Sequence, residues 1–123
     1  MFEAIESIIE WNEVAWNKGT FNRHLETSML AEELAEVIIG LKEGNRVEVV
    51  DGILDVFWVW IGTLYKMGLS AEQINACFEE IKKSNFSKFI PNANGGWEVI
   101  RDASWKIQKP QGYFKPELGK ILE

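Results

Sequence analysis

The chain has 123 residues, 46% apolar and 26% charged, enough for one compact globular domain with a sizeable core. Its net charge of −6 argues against nucleic acid or an anionic membrane as partner, because both select positive charge. An acidic protein that handles phosphates therefore needs metal ions or a local cluster of Lys and Arg.

The opening segment MFEAIESIIEW is acidic and lacks the positive stretch of a signal peptide. Ile5, Ile8, Ile9 and Val14 recur at helical spacing, which predicts a first helix over about 2–17 with Gly19 just past its end. A second helix is predicted from Asn22 to Lys42, with Leu30, Leu34, Val37, Ile38 and Leu41 as its apolar stripe and Gly44 closing it. Asn45 can cap a third helix, with Glu48 as capping-box partner, and that helix runs to about Met67 before Gly68. Ser70 and Gln73 stand in the same capping relation at the head of a fourth helix that ends near Ser84. There Ile74, Cys77, Phe78 and Ile81 share one face, so the single cysteine reads as a buried structural thiol and fits a reducing compartment. The apolar run from Val56 to Tyr65 is too short to span a bilayer, and a cytoplasmic location is expected.

From Asn85 the character changes. NFSKFIPNANGGWEVIRDASWKIQKPQGYFKPELGK holds all three prolines and forms the basic part of an acidic protein, with short strands expected at 97–101 and 104–108. The connections between the predicted helices are two to five residues long, as antiparallel neighbours require. The expected fold class is all-α: a four-helix bundle-like body over about 2–84 and a loop-rich tail over 85–123, in a single domain, 1–123. The third helix is apolar around nearly its whole girth from Ile53 to Leu64, more than three other helices would cover. An obligate oligomer is therefore expected, a homodimer or a homotetramer. Trp58 and Trp60 are expected in core or interface, while Trp11 and Trp16 suit packing better than base stacking. His24 stands alone, without metal-ligand spacing.

Within that oily third helix, EVVDGILDVFWVWIG carries Asp51 and Asp55, and no Lys, Arg or His lies between Arg46 and Lys66. At 100° per residue the two aspartates point the same way, with Glu48 one turn earlier. Glu33 and Glu36 share the edge of the second helix's stripe, with Glu32 further round and Glu26 two turns back as an outer-shell candidate. Packing the two helices antiparallel brings carboxylate pairs face to face, and like charges so placed need protonation or a cation. Clustered carboxylate oxygens suit a hard ion such as Mg²⁺, with Mn²⁺ also possible. Glu48 is otherwise explained by capping and Asp51 by the helix dipole, but Asp55, mid-helix among apolar residues, has no such structural account.

LAEELAEVIIGL, EVVDGILDVFWVWIGTLYKMGL, KKSNFSKF and KPQGYFKP, spread over residues 22 to 116, resemble the MazG-like all-α nucleoside triphosphate pyrophosphohydrolases. The likeness is to the phage-type branch related to phosphoribosyl-ATP pyrophosphatase. The resemblance implies Mg²⁺-dependent cleavage of a nucleoside triphosphate between its α and β phosphates, giving a monophosphate and pyrophosphate. The family's metal signature is ExxE on one helix and ExxD on the next. Glu33 and Glu36 match the first pair, Glu32 completes EExxE, and Asp55 matches the second Asp. Gly52 stands where the family has Glu; Asp51 is the expected substitute, with Glu48 the other candidate. The expected metal ligands are thus Glu32, Glu33, Glu36, Asp51 and Asp55. Glu33 or Glu36 is expected to accept the proton of the attacking water. Lys88 is expected on the phosphates, Asn85 on the substrate, and Lys109 and Tyr113 as further substrate contacts. Alternatives are the same fold acting on phosphoribosyl-ATP or an alarmone, or a helical binding and assembly protein with a degenerate site.

Overall fold

The computed structural model describes residues 2–123. Four long helices lead: α1 (Phe2–Val14), α2 (Arg23–Glu43), α3 (Arg46–Lys66) and α4 (Ala71–Phe86). Two two-residue strands, β1 (Ile90–Pro91) and β2 (Trp97–Glu98), and a short helix, α5 (Gly119–Leu122), follow. The chain is mostly helical, and its contacts divide it into two compact units, the first ending at Ile74 and the second spanning Asn75–Glu123. None of the described helices is long and apolar enough to cross a membrane.

The helix starts are set by local hydrogen bonds. Asn22 Oδ1 accepts from the Leu25 amide at 3.1 Å, and Asn45 Oδ1 accepts from the Glu48 amide at 3.2 Å. Ser70 and Gln73 form a reciprocal box: the Gln73 amide donates to Ser70 Oγ at 3.1 Å and the Ser70 amide to Gln73 Oε1 at 3.0 Å. Caps of this kind are worth about 1 kcal/mol each. Gly44, at φ 67°, ends α2 in the left-handed conformation that its missing Cβ permits. The helix α1 stops at Val14, three residues before the predicted end. Trp16 takes a left-handed φ of 58°, and the Asn17 amide reaches back to Asn12 O at 3.0 Å. A tryptophan thus occupies a position where a glycine would be looked for.

Ile5 and Ile8 of α1, Ile61 of α3 and Ile74 of α4 form the buried core of the first unit, with Phe57, Leu64 and Leu69 packed against it. Gly62 lets α1 approach α3: a Cβ there would lie 3.2 Å from Asn12 Nδ2. The packing of α2 on α3 is tighter still. A Cβ on Gly52 would lie 2.9 Å from Val37 Cγ2, and one on Gly40 would lie 3.2 Å from Val49 Cγ2. At the other end of the pair, Glu26 Oε1 accepts from Thr63 Oγ1 at 2.7 Å, and Glu26 Oε2 meets Lys66 Nζ at 2.9 Å. These contacts run in opposite order along the two helices, so α2 and α3 form an antiparallel hairpin. Glu26 is buried, and the Lys66 side chain is 9% exposed. Removing one partner would leave an uncompensated buried charge, at a cost of about 3–5 kcal/mol.

Outside this seam much of α2 and α3 is uncovered by the chain itself. Leu34, Ile38, Ile53 and Leu54 are exposed. Trp58 and Trp60, expected in core or interface, are 38% and 49% exposed in the single chain, with Trp58 meeting Trp11 edge to face at 5.9 Å.

In the second unit β1 and β2 pair antiparallel, Ile90 with Glu98 and Pro91 with Trp97. The strands expected at 97–101 and 104–108 reduce to β2 and one isolated bridge between Arg101 and Ile107. Side-chain turns take their place. Asn92 Oδ1 accepts from the amides of Asn94 and Gly96, and the Asp102 carboxylate accepts from Ser104, Lys106 and Gln108. Buried Ser84 donates to Phe114 O at 2.8 Å, and the Phe114 amide donates to Ser87 Oγ, tying the tail to the end of α4.

The Gly52 contact generates a stability prediction. Overpacking costs about 1–3 kcal/mol, set against the roughly 1 kcal/mol by which Ala outranks Gly in a helix. Gly52→Ala is therefore expected to lower stability by up to about 2 kcal/mol in urea unfolding. In a Val37→Ala background the same substitution should become neutral or stabilising. Equal costs in the two backgrounds would refute the contact.

Candidate active site

The α2–α3 hairpin brings five carboxylates of the first unit into mutual influence. Glu33 is half-buried on α2, and its Oε2 is fully buried without a hydrogen-bond partner. Its carboxyl is held above the ordinary value of 4.5, first by desolvation and then by the negative charges of Glu36, Asp55, Glu32 and Asp51, in that order. Those are the five residues expected as ligands. Among the described residues the ion pairs are Lys66 with Glu26 and Lys82 with Glu79, so neither supplies a cation to this cluster.

Gly52 is buried against Val37, so the family's Glu has no room at that position unless the helices part. Asp51 is among the carboxylates that act on Glu33; Glu48 is not, and its amide is held by the Asn45 cap. Glu26, the outer-shell candidate, is instead bonded to Thr63 and Lys66. Among the described residues no group of three or more acidic, His or Cys side chains is gathered closely enough to hold a metal ion as it stands. Like charges splay when no cation lies between them, and Glu32, Glu36, Asp51 and Asp55 are exposed and free to turn. The donor set nonetheless fits a hard divalent ion. It is all oxygen, it carries no internal counter-charge, and it contains a buried acceptor that nothing satisfies.

The remaining expected site residues lie in the second unit. Asn85 is exposed in the last turn of α4, and its carbonyl accepts from the Lys88 amide at 3.1 Å in the turn that follows. Lys109 and Tyr113 meet each other, with Nζ 5.0 Å from the ring centroid. The same unit holds an aromatic pocket of about 360 Å³ walled by Phe86, Phe89, Trp97 and Phe114, with Lys83 at its edge. A wider groove of about 1260 Å³ in the first unit lies away from the carboxylates, between Glu10, Glu13, Trp16, Lys66 and Leu69. Sequence reasoning missed the Glu26–Thr63–Lys66 cluster and the Asp102 turn. The Asp-x-Ser pattern at 102–104 signals such a turn, whereas nothing local announces a partner 40 residues away.

The α2–α3 hairpin of this mostly helical chain thus sets carboxylates of one helix against those of the next. The phosphoribosyl-ATP pyrophosphohydrolase family matches residues 5–85, well over half of the chain, and the chain belongs to that family, within the MazG-like superfamily. It is accordingly a pyrophosphohydrolase with a nucleotide as substrate. Among curated proteins none matches the chain.

The raised pKa of Glu33 has a definite sign. The folded chain favours the protonated form, so the stability this group contributes is complete below about 4.5 and is lost as pH rises through its folded value. In EDTA, Glu33→Gln should melt increasingly above wild type as pH climbs from 4 towards 7. A difference in Tm that stays flat across that range would show that Glu33 is not under electrostatic stress.

Proposed function

We propose that the chain hydrolyses a nucleoside triphosphate between its α and β phosphates, releasing a nucleoside monophosphate and pyrophosphate, with Mg²⁺ as cofactor and Mn²⁺ as a substitute. The observation that carries this reading is the buried, unpartnered Oε2 of Glu33 amid four other carboxylates. Glu32, Glu33, Glu36, Asp51 and Asp55 would hold the metal, Asp51 standing in for the Glu that Gly52 displaces. Bound there, the ion supplies charge neutralisation to the polyphosphate and Lewis acidity at the reacting phosphorus.

The chain's own groups do the rest. Glu33 or Glu36 orients the attacking water and accepts its proton, and desolvation makes the Glu33 carboxylate a stronger base than an ordinary one. Lys88 offers its ammonium to the negative charge that builds on the departing pyrophosphate. Asn85 presents an amide to the nucleotide, and Lys109, held over Tyr113, adds a second cation.

The same reading includes self-association. Leu34 and Ile38 on α2 and Ile53 and Leu54 on α3 are exposed together, at 44–61%, along the hairpin that carries the carboxylates. At about 25 cal/mol per Å², covering such side chains is worth several kcal/mol. A second copy of the chain, as homodimer or homotetramer, is the proposed cover.

Activity is expected only with Mg²⁺ or Mn²⁺, with products resolved as monophosphate plus pyrophosphate. The substrate panel should include canonical and modified triphosphates and phosphoribosyl-ATP, since family membership does not fix the substrate. Asp55→Asn should lower turnover by about 100-fold or more while keeping the helical circular dichroism. Wild-type turnover in that variant would defeat the assignment. Light scattering is expected to give at least a dimer at micromolar concentration, and Leu54→Glu to dissociate it. A fully active monomer would remove the proposed interface.

A further inference from the structure

The buried cluster of Glu26, Thr63 and Lys66 takes no part in the proposed chemistry, yet it sits in the hairpin that carries all five carboxylates. Glu26 is 3% exposed and lies two turns before Glu33 on α2; Lys66 ends α3, three turns after Asp55. Both carboxylate oxygens of Glu26 are used, one by the Thr63 hydroxyl at 2.7 Å and one by the Lys66 ammonium at 2.9 Å. That hydroxyl also lies 3.1 Å from Val59 O, so its single proton goes to the nearer, charged acceptor. The two residues of α3 are three apart and lie on one helical face, so Glu26 grips a specific turn of its neighbour.

Apolar packing along the rest of the seam is less selective. At Gly52 and Gly40 the helices touch through Val37 and Val49, aliphatic contacts that tolerate small sliding and rolling. A carboxylate forked between a hydroxyl and an ammonium tolerates neither, because any slip strands a buried charge. Sliding is also what the carboxylates favour while no cation is present, since separating α2 from α3 relieves the repulsion felt at Glu33.

We propose that Glu26, with Thr63 and Lys66, is a positioning residue: it locks the register of α2 against α3, so that Glu33 and Glu36 stay opposite Asp51 and Asp55 despite their mutual repulsion. The part that concerns metal rests on the reading of the site given above; the lock itself is a property of the hairpin and is testable without metal.

The test replaces the cluster by packing. In Glu26→Met/Lys66→Met both charges leave together, so no orphan remains and the metal-free Tm is expected to match or exceed wild type. The Mg²⁺ concentration that half-saturates the metal-induced rise in Tm is expected to increase about tenfold or more, the scale on which lost outer support weakens metal sites. A core control, Ile8→Val, lowers Tm from the α1 side of the core, outside the α2–α3 seam, and should leave that concentration unchanged. An unchanged Mg²⁺ midpoint in the double variant overturns the proposal. If the double variant does not fold, Thr63→Val removes only the hydroxyl; a smaller rise is expected, and no rise is equally fatal. Nitroxide pairs at Ser28 and Arg46, in a Cys77→Ser background with EDTA, separate the two ideas. A broader distance distribution in the double variant than in the parent is expected. If wild type shows no metal response, the metal reading falls and these distances alone decide: equally narrow distributions overturn the lock, and a broadened one sustains it.

Discussion

The close antiparallel seam between α2 and α3 is the constraint on which the rest depends. It requires glycine at position 52, because a Cβ there would press on Val37 at 2.9 Å, and it draws Val49 over Gly40 one turn closer to the connecting loop. Such proximity is what allows carboxylates from two helices to act on one another. A looser hairpin would take Asp51 and Asp55 out of reach of Glu33. Gly52, where the family motif has Glu, thus allows the two carboxylate-bearing helices their close approach.

The seam holds two opposite electrostatic situations. At Glu33 desolvation is joined by the repulsion of four other carboxylates. Around Glu26 a single carboxylate is fully paired in a buried setting. The first is an electrostatic cost, and the second is a fixed, paired interaction. Segregating them along one hairpin means that bound charge can change at one end while the other end keeps its geometry.

Much of this was legible in the sequence because it is local. The caps at Asn45 and Ser70–Gln73 form as their spacing predicts, since each requires only residues within one turn. Helical periodicity likewise fixes which side chains share a face, and Glu36, Asp55, Glu32 and Asp51 are the carboxylates that act on Glu33. What failed was long-range or conformationally unusual. The end of α1 is set by Trp16 in a left-handed conformation, which no propensity assigns to tryptophan. The tail's expected strands gave way to turns organised by Asn92 and Asp102, whose side chains capture the backbone amides a ladder would have used. Glu26 resembled an outer-shell group because its partners, Thr63 and Lys66, stand 37 and 40 residues along the chain.

The exposed faces of α2 and α3 bear on the site as well as on assembly. Leu34 lies next to Glu33, and Ile53 and Leu54 lie between Asp51 and Asp55, so the apolar surface left open by the single chain flanks the carboxylates directly. Covering that surface with a second hairpin would exclude water from the same region. Desolvation is already the largest influence on Glu33, and burying its surroundings further would strengthen both the repulsion among the free carboxylates and their attraction for a divalent cation. In the proposed assembly, self-association and cation affinity would be linked through one dielectric: a tighter interface would raise both the electrostatic cost of the carboxylate cluster and the gain from neutralising it.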